Sequence, residues 1–399
     1  VAFALAGCAS RPTVDDAERL LDKGDADGAL AAVRAAEKGP LDREGTTRAR
    51  KIAFEASLAL GYTEEAAKDF LLLELAPRDR ERLREKLAAR TLRAALGSAD
   101  GGRRALAATE LAFAFGHGDV YALEQVALSD REPVVRKLAV RSLAKLPDAS
   151  RAVARLTDAL GDTDEDVRAA AAFALAKRIG PPHAGEPGEF AEARAALVRA
   201  APCAETLAIV GARPAPGSAL ALRRAEPAPI PASSLPTFGS PDGPGARRLA
   251  WLAADRAHPR DTEALRADLR AGDPAIAPDA ARLLGERGGS AALPALALAL
   301  GDGAQPARPA AARALGMLGG PDAVAPLTAA LSSEDGAVRR AAAEALARAG
   351  TALALDDLSR AMCEASEDTD LAAAAAVLAI EARTASPTKT NDPATQEGP

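Results

Sequence analysis

Residues 128–146 read LSDREPVVRKLAVRSLAKL, and residues 160–178 read LGDTDEDVRAAAAFALAKR. Set one above the other with a step of 32, they share Leu128 and Leu160, Asp130 and Asp162, Arg136 and Arg168, Ala139 and Ala171, and Leu143 and Leu175. An earlier copy supplies Leu96, Arg104, Ala107 and Leu111, with Ser98 in the Asp column. Each unit reads as a short helix, a turn rich in Gly, Ser and Asp, and a second helix rich in Ala and Leu. In the second helix Leu138, Ala139, Ser142, Leu143 and Leu146 fall on one face at a 3.6-residue period. A hairpin of this size cannot bury its apolar face alone, so neighbouring units must stack.

Working outward, a second array with period 31 runs from about 262 to 383. Leu265, Leu296, Leu327 and Leu358 align, as do Leu284, Leu315, Leu346 and Val377, and Ala280, Ala311, Ala342 and Ala373. Between the arrays, residues 181–247 carry proline at a density that excludes a long helix, although a helix is expected at 189–200 and another at 245–257. The expected fold class is all-α: an α-solenoid of stacked helical hairpins with a Pro-rich insertion between two repeat blocks. Its parts are 1–8, a linker at 9–13, helical hairpins at 14–87, repeats at 88–180, the insertion at 181–247, repeats at 248–386, and a polar tail at 387–399. Composition agrees. Hydrophobic residues make up 48% of the 399 but aromatics only 3%, which suits closely packed helices and not β-sandwiches or barrels. Lys and Arg number 50 against 56 Asp and Glu, a net −6 that argues against a nucleic-acid partner. No run of 18 apolar residues is present, so no helical membrane span is expected.

The repeats resemble HEAT repeats of the short, bilin-lyase-like type. The resemblance rests on a turn Asp and an Arg six positions later: Asp130 with Arg136, Asp162 with Arg168, Asp302 with Arg308. It implies that the Asp and Arg of neighbouring repeats form a ladder along the stack. The column breaks at Ser98 and Ser333, and Asp279 stands where an Arg is expected. Residues 14–77 resemble tetratricopeptide repeats, with turn glycines at Gly24 and Gly61 and pairs offset by 37: Ala29 with Ala66, Val33 with Phe70, Pro40 with Pro77. At the other extreme, Leu5-Ala6-Gly7-Cys8 resembles a bacterial lipobox. That resemblance implies acylation of Cys8 and a place in the cell envelope, on the periplasmic face of the outer membrane. More than one acyl chain is needed for a stable anchor.

Residues able to carry out chemistry are sparse. Some relatives of short HEAT repeats are metal-dependent hydroxylases with His-Glu pairs. Here His117 precedes Gly, His183 precedes Ala and His258 precedes Pro, so no such metal site is expected. No phosphate loop or nucleophile elbow is found, and no catalytic residue, cofactor or small-molecule substrate is indicated. Cys203 and Cys363 read as isolated thiols. One stripe stands out on the second helices: Thr109, Arg141 and Phe173 in the first array, Arg282, Arg313 and Glu344 in the second, flanked by Lys145, Lys177 and Met317. Arg and exposed aromatic or Met side chains anchor protein interfaces. Arg141, Phe173, Arg282, Arg313 and Met317 are therefore the candidate partner-binding residues. The expected function is a non-catalytic, lipid-anchored scaffold for protein partners. The alternatives are an accessory subunit that positions a separate enzyme, or a cytoplasmic scaffold if Cys8 carries no lipid.

Overall fold

A computed structural model describes residues 12–112, 120–146, 149–183, 186–200, 206, 209–211, 243–362 and 369–385. These residues form twenty α-helices and no strand. The first four, α1 (Val14–Asp22), α2 (Ala26–Ala36), α3 (Arg43–Leu60) and α4 (Thr63–Leu72), make two hairpins. Gly24 and Gly61 turn them with φ of 81° and 85°, a left-handed conformation that suits a residue without Cβ. Thr13 starts α1 through a reciprocal capping box with Asp16. Ala17, Ala29, Val33 and Ala49 form a small core of their own, while Phe54 and Phe70, with ring centroids 6.1 Å apart, join the main one.

Next come α5 (Pro77–Leu96), α6 (Gly101–Glu110), α7 (Val120–Ser129), α8 (Pro133–Leu143), α9 (Ala149–Ala159), α10 (Glu165–Ile179) and α11 (Gly188–Arg199). After the insertion follow α12 (Pro244–Ala257), α13 (Thr262–Ala271), α14 (Ala277–Arg287), α15 (Leu293–Asp302), α16 (Ala307–Leu318), α17 (Pro321–Ala330), α18 (Gly336–Ala349), α19 (Leu355–Ala361) and α20 (Thr369–Ala385). Local chemistry sets these starts. Pro77 and Pro133 sit in the first turn, where a missing N–H costs nothing. The Asp164 and Asp335 carboxylates accept backbone N–H groups at the starts of α10 and α18.

The even-numbered helices α6, α8 and α10 pack side by side in one layer, with α7 and α9 in the other and α11 against α9 and α10. In the second block α14, α16, α18 and α20 form the corresponding layer, with α13, α15, α17 and α19 outside. Among the described residues, no helix before the insertion packs extensively on the helices that follow it directly. Instead α20 packs on α5 as extensively as it packs on α18, and it also touches α6. The stack therefore runs α14, α16, α18, α20, α5, α6, α8, α10, with the later half of the sequence first. Seven steps at the usual 8–10 Å make about 55–70 Å. The 44 residues from Ala200 to Gly243 join opposite ends of this stack. At roughly 3.3–3.6 Å per residue they have about twice the reach required.

Helix α20 shows why the join forms. All ten residues from Leu371 to Ile380 have 0% exposure. A helix that is apolar on every side must be covered on every side, and α18, α19, α5 and α6 supply the cover. Charged groups fix the register: Arg84 on α5 lies 3.2 Å from Glu381, Arg103 holds Asp370, and Arg80 and Arg84 approach Asp356 at 3.4 and 3.6 Å. The boundary expected at residue 87 accordingly falls inside α5, because that helix belongs to both the N-terminal hairpins and the stack. The expected insertion also shortens: α11 and α12 lie within or across its limits and pack onto the blocks at either side. Trp251 of α12 donates to Asp268 at 2.9 Å, and Arg287 holds Asp255 at 3.0 Å. No helix among the described residues is long and apolar enough to cross a membrane.

Small residues let the layers close up. A Cβ added to Gly316 on α16 would lie 2.6 Å from the Ala345 Cβ and 2.7 Å from its Cα on α18. In an open helix Gly→Ala gains about 1 kcal/mol from propensity. Here overpacking costs about 1–3 kcal/mol and wins. Gly316→Ala should therefore lower the thermal midpoint, measured by circular dichroism, and an unchanged or raised midpoint would show that α16 and α18 are not in such close contact.

Candidate functional site

The turn Asp and Arg residues come together across repeats in the first block. Arg104 donates Nε and Nη2 to Asp130 at 2.7 and 3.0 Å, and Arg136 donates to Asp162 at 2.8 Å through both nitrogens. Each Arg also closes its own turn: Arg136 on the Asp130 carbonyl and Arg168 on the Asp162 carbonyl, both at 2.7 Å. Such paired forks satisfy charges that would be costly to bury alone. The Arg136 guanidinium and the Asp164 amide hold the Asp162 carboxyl below the ordinary carboxylate range, against the effect of burial. In the second block the pattern changes. Arg308 donates to the Leu300 carbonyl at 3.1 Å and to the Ser333 hydroxyl at 3.2 Å, and it does not reach Asp302. The position one repeat before Arg308 is Ala277 and not Asp279, the position expected from the spacing to Asp273, so no Arg is placed to serve Asp302, and Asp279 instead accepts from Arg248. These ladder residues hold the stack together, and Arg104 and Asp130 also line a shallow pocket of about 370 Å³ at the turns.

The stripe residues lie on the inner layer and divide into two groups. In the second block Arg313 lies 3.5 Å from Glu344, Arg282 lies 2.6 Å from Glu286, and Met317 leans over Gly285. Those arginines are neutralised locally. In the first block Arg141 on α8 and Phe173 on α10 face one groove of about 810 Å³, lined also by Lys137, Lys145, Lys177 and Arg178. Its floor is alanine: Ala144, Ala169, Ala170 and Ala174. Phe173 is 40% exposed, with the Lys177 ammonium 4.6 Å from its ring centre. Lys137 is held by Asp166 at 2.7 Å, and Arg178 donates to the Ala144 and Leu146 carbonyls at 3.1 and 2.6 Å. Neither Arg141 nor Lys177 forms an ion pair with any described residue, and the Lys177 ammonium lies over the Phe173 ring.

Sequence reading missed the role of Arg178. It caps the preceding inner helix, as Arg383 caps α18 through the Ala347 and Gly350 carbonyls at 2.6 and 3.0 Å. A cation at a helix C-terminus is favoured by the carbonyl dipoles. The available signal was an Arg in the last turn of the inner helices α10 and α20.

The inner layer is the concave one. Glu110, at the end of α6, feels Arg340, Glu344 and Arg348 of α18, three helices back along the stack, and also Lys145 beyond α8. An inward curve of this layer accounts for their mutual influence. Burial pushes the Glu110 carboxyl up to about 8; Glu344 adds to this, and Arg340, Arg348 and Lys145 oppose it. Its Oε2 has no hydrogen-bond partner among the described residues. Burial also lowers the Lys145 ammonium below the ordinary lysine range; Arg348 adds to this, Glu110 opposes it and Arg141 adds again. The middle of the concave face thus gathers Arg340, Arg348 and Lys145 around two acids, the buried Glu110 and Glu344.

Two stretches of the chain match HEAT repeats, residues 89–176 and 296–379. No curated protein matches the chain. The second HEAT stretch ends in α20 and the first begins in α5. The two stretches, far apart in sequence, therefore abut in space and form one HEAT stack.

Other candidates lie elsewhere. His183 is exposed, 3.7 Å from Glu186, and His258 ends α12. No group of His, Cys, Asp and Glu fit to hold a metal occurs among the described residues. Cys8, His117, Cys203 and Cys363 lie outside those residues.

Glu110 gives a pH signature. Its folded pKa of about 8 lies above the ordinary 4.5, so the folded chain holds this proton more tightly than the unfolded chain does. The resulting stability is complete below 4.5 and is lost as pH rises to about 8. Glu381, raised to about 8 by burial, acts in the same direction. Glu110→Gln should flatten the fall in denaturation midpoint between pH 5 and 8.5. An equally steep fall in the variant would show that Glu110 is not buried as described.

Proposed function

We propose that this protein is a non-catalytic scaffold that holds a protein partner on the concave face of its HEAT stack, lipid-anchored through Cys8 in the bacterial cell envelope. HEAT repeats commonly mediate protein–protein interaction, and that general role supports the reading. Stacked repeats offer an extended concave surface of the kind such proteins use for binding. The observation that carries the reading is the first-block groove, where Arg141, Lys177 and the exposed Phe173 are not consumed by the fold. The groove's one acid, Asp166, is exposed and paired with Lys137, so no general acid–base pair is assembled there. Arg282, Arg313 and Met317 extend the same face with neutralised charges and serve as its periphery. The Leu5-Ala6-Gly7-Cys8 motif supports anchoring on the periplasmic face of the outer membrane.

A photo-crosslinking amino acid placed at residue 173 tests the scaffold in cells. Tyr121, 64% exposed on the outer helix α7, provides the control position. An adduct of one discrete mass from 173 and none from 121 is expected, recovered with the membrane fraction. Cys8→Ser should move the chain and its adduct out of that fraction. Adducts from 121 alone would contradict the concave site, and an unmoved Cys8→Ser chain would contradict the anchor.

A further inference from the structure

The whole chain is acidic, at −6, yet the groove between α8 and α10 gathers cations. Once Lys137 is assigned to Asp166 and Arg178 to its carbonyls, Arg141 and Lys177 remain around an alanine floor and one aromatic ring. Clustered like charges raise one another's energy; at Lys145 burial lowers the ammonium most, Arg348 and Arg141 add to it, and Glu110 opposes it. An anionic occupant would relieve that repulsion. The chemistry of the lining is mixed: charge at the rim, methyl groups below, and Phe173 at one side. This suits a segment that brings carboxylates and an apolar side chain together. The volume, about 810 Å³, lies within the roughly 300–1,000 Å³ of pockets that enclose such groups.

We propose that this groove binds an acidic peptide segment of a protein partner, with an apolar side chain on Ala144, Ala170 and Ala174 beside Phe173 and carboxylates at Arg141 and Lys177. This rests on the scaffold reading above and names its partner's chemistry. A nucleic-acid strand fits less well. It needs a basic track with several stacking rings, whereas this groove has one ring in a chain of net negative charge. A flat bilayer cannot enter a concave surface to reach Arg141.

Panning a random dodecapeptide display library against the full chain tests the proposal, with Arg141→Glu/Lys177→Glu and Phe173→Ala chains as counter-targets. Arg141 and Lys177 form no ion pair with any described residue, so reversing them should leave the fold intact, and Phe173→Ala keeps every charge. Enriched peptides should carry at least two Asp or Glu residues next to Leu, Ile or Phe. They should bind the charge-reversed chain at least tenfold more weakly and lose affinity as salt rises from 50 to 200 mM. Each labelled peptide is compared with its Asn/Gln counterpart, with single-stranded DNA and with anionic vesicles. No enrichment, enrichment of neutral or basic peptides, equal binding to the reversed chain, or tighter binding of DNA or vesicles overturns it. If the residue-173 crosslink nevertheless forms in cells, the scaffold stands and only the acidic chemistry falls.

Discussion

The structure depends on one helix being covered on all sides. From Leu371 to Ile380, α20 exposes no side chain, and its cover comes from both halves of the molecule. Alanine at six of those ten positions keeps the helix slim, so α18 and α5 approach closely on opposite flanks. Removing either neighbour would expose a continuous apolar surface, and at about 25 cal/mol per Å² no single ion pair could compensate. The Arg84–Glu381 and Arg103–Asp370 contacts set the register of a join that apolar burial drives. Glu381 shows the electrostatic cost: its carboxyl is pushed up to about 8 because burial outweighs the nearby Arg84.

This join also makes the concave face. With α20 seated on α5, the inner layer passes without interruption from α14 to α10, and its curvature brings α6 and α8 toward α18. Glu110, Lys145 and Arg348 influence one another for that reason, although they belong to different blocks. The groove between α8 and α10 opens beside this cluster. Its character follows from how the arginines are employed. In the second block Glu286 and Glu344 absorb them, and in the first block Arg104, Arg136 and Arg178 are drawn into turns, ladders and caps. Arg141 and Lys177 are left facing solvent with Phe173.

Much of this was legible in the sequence. The spacing of Leu143 and Leu175, or of Leu284, Leu315 and Leu346, reports hairpin stacking directly, because every member of these columns is fully buried, whereas Leu128 of the Leu160 column stays exposed. The Asp130 and Asp162 columns reported a ladder in the first block, but spacing from Asp273 put the missing Arg at 279, whereas the 31-residue step places it at Ala277 and leaves Asp302 unserved. Periodicity could not say which block follows which in space, since a repeat column is silent about its terminal neighbours. Residues 371–380 did carry a signal. A terminal repeat should present a polar outer face, and this one is apolar all round, which marks it as internal to the stack. The groove was legible only in part. Arg141 and Phe173 fell in one column, but their separation from Arg282 and Arg313 depends on where Glu286 and Glu344 place their carboxylates.

The most direct measurement of this account is to cut the chain between residues 212 and 240, at an inserted protease site, and follow the products by size-exclusion chromatography with light scattering. If α20 on α5 holds the blocks together, both fragments elute as one species with the mass of the intact chain and unfold in one transition. Two separate species after cleavage under native conditions would contradict the join, and with it the order of the stack.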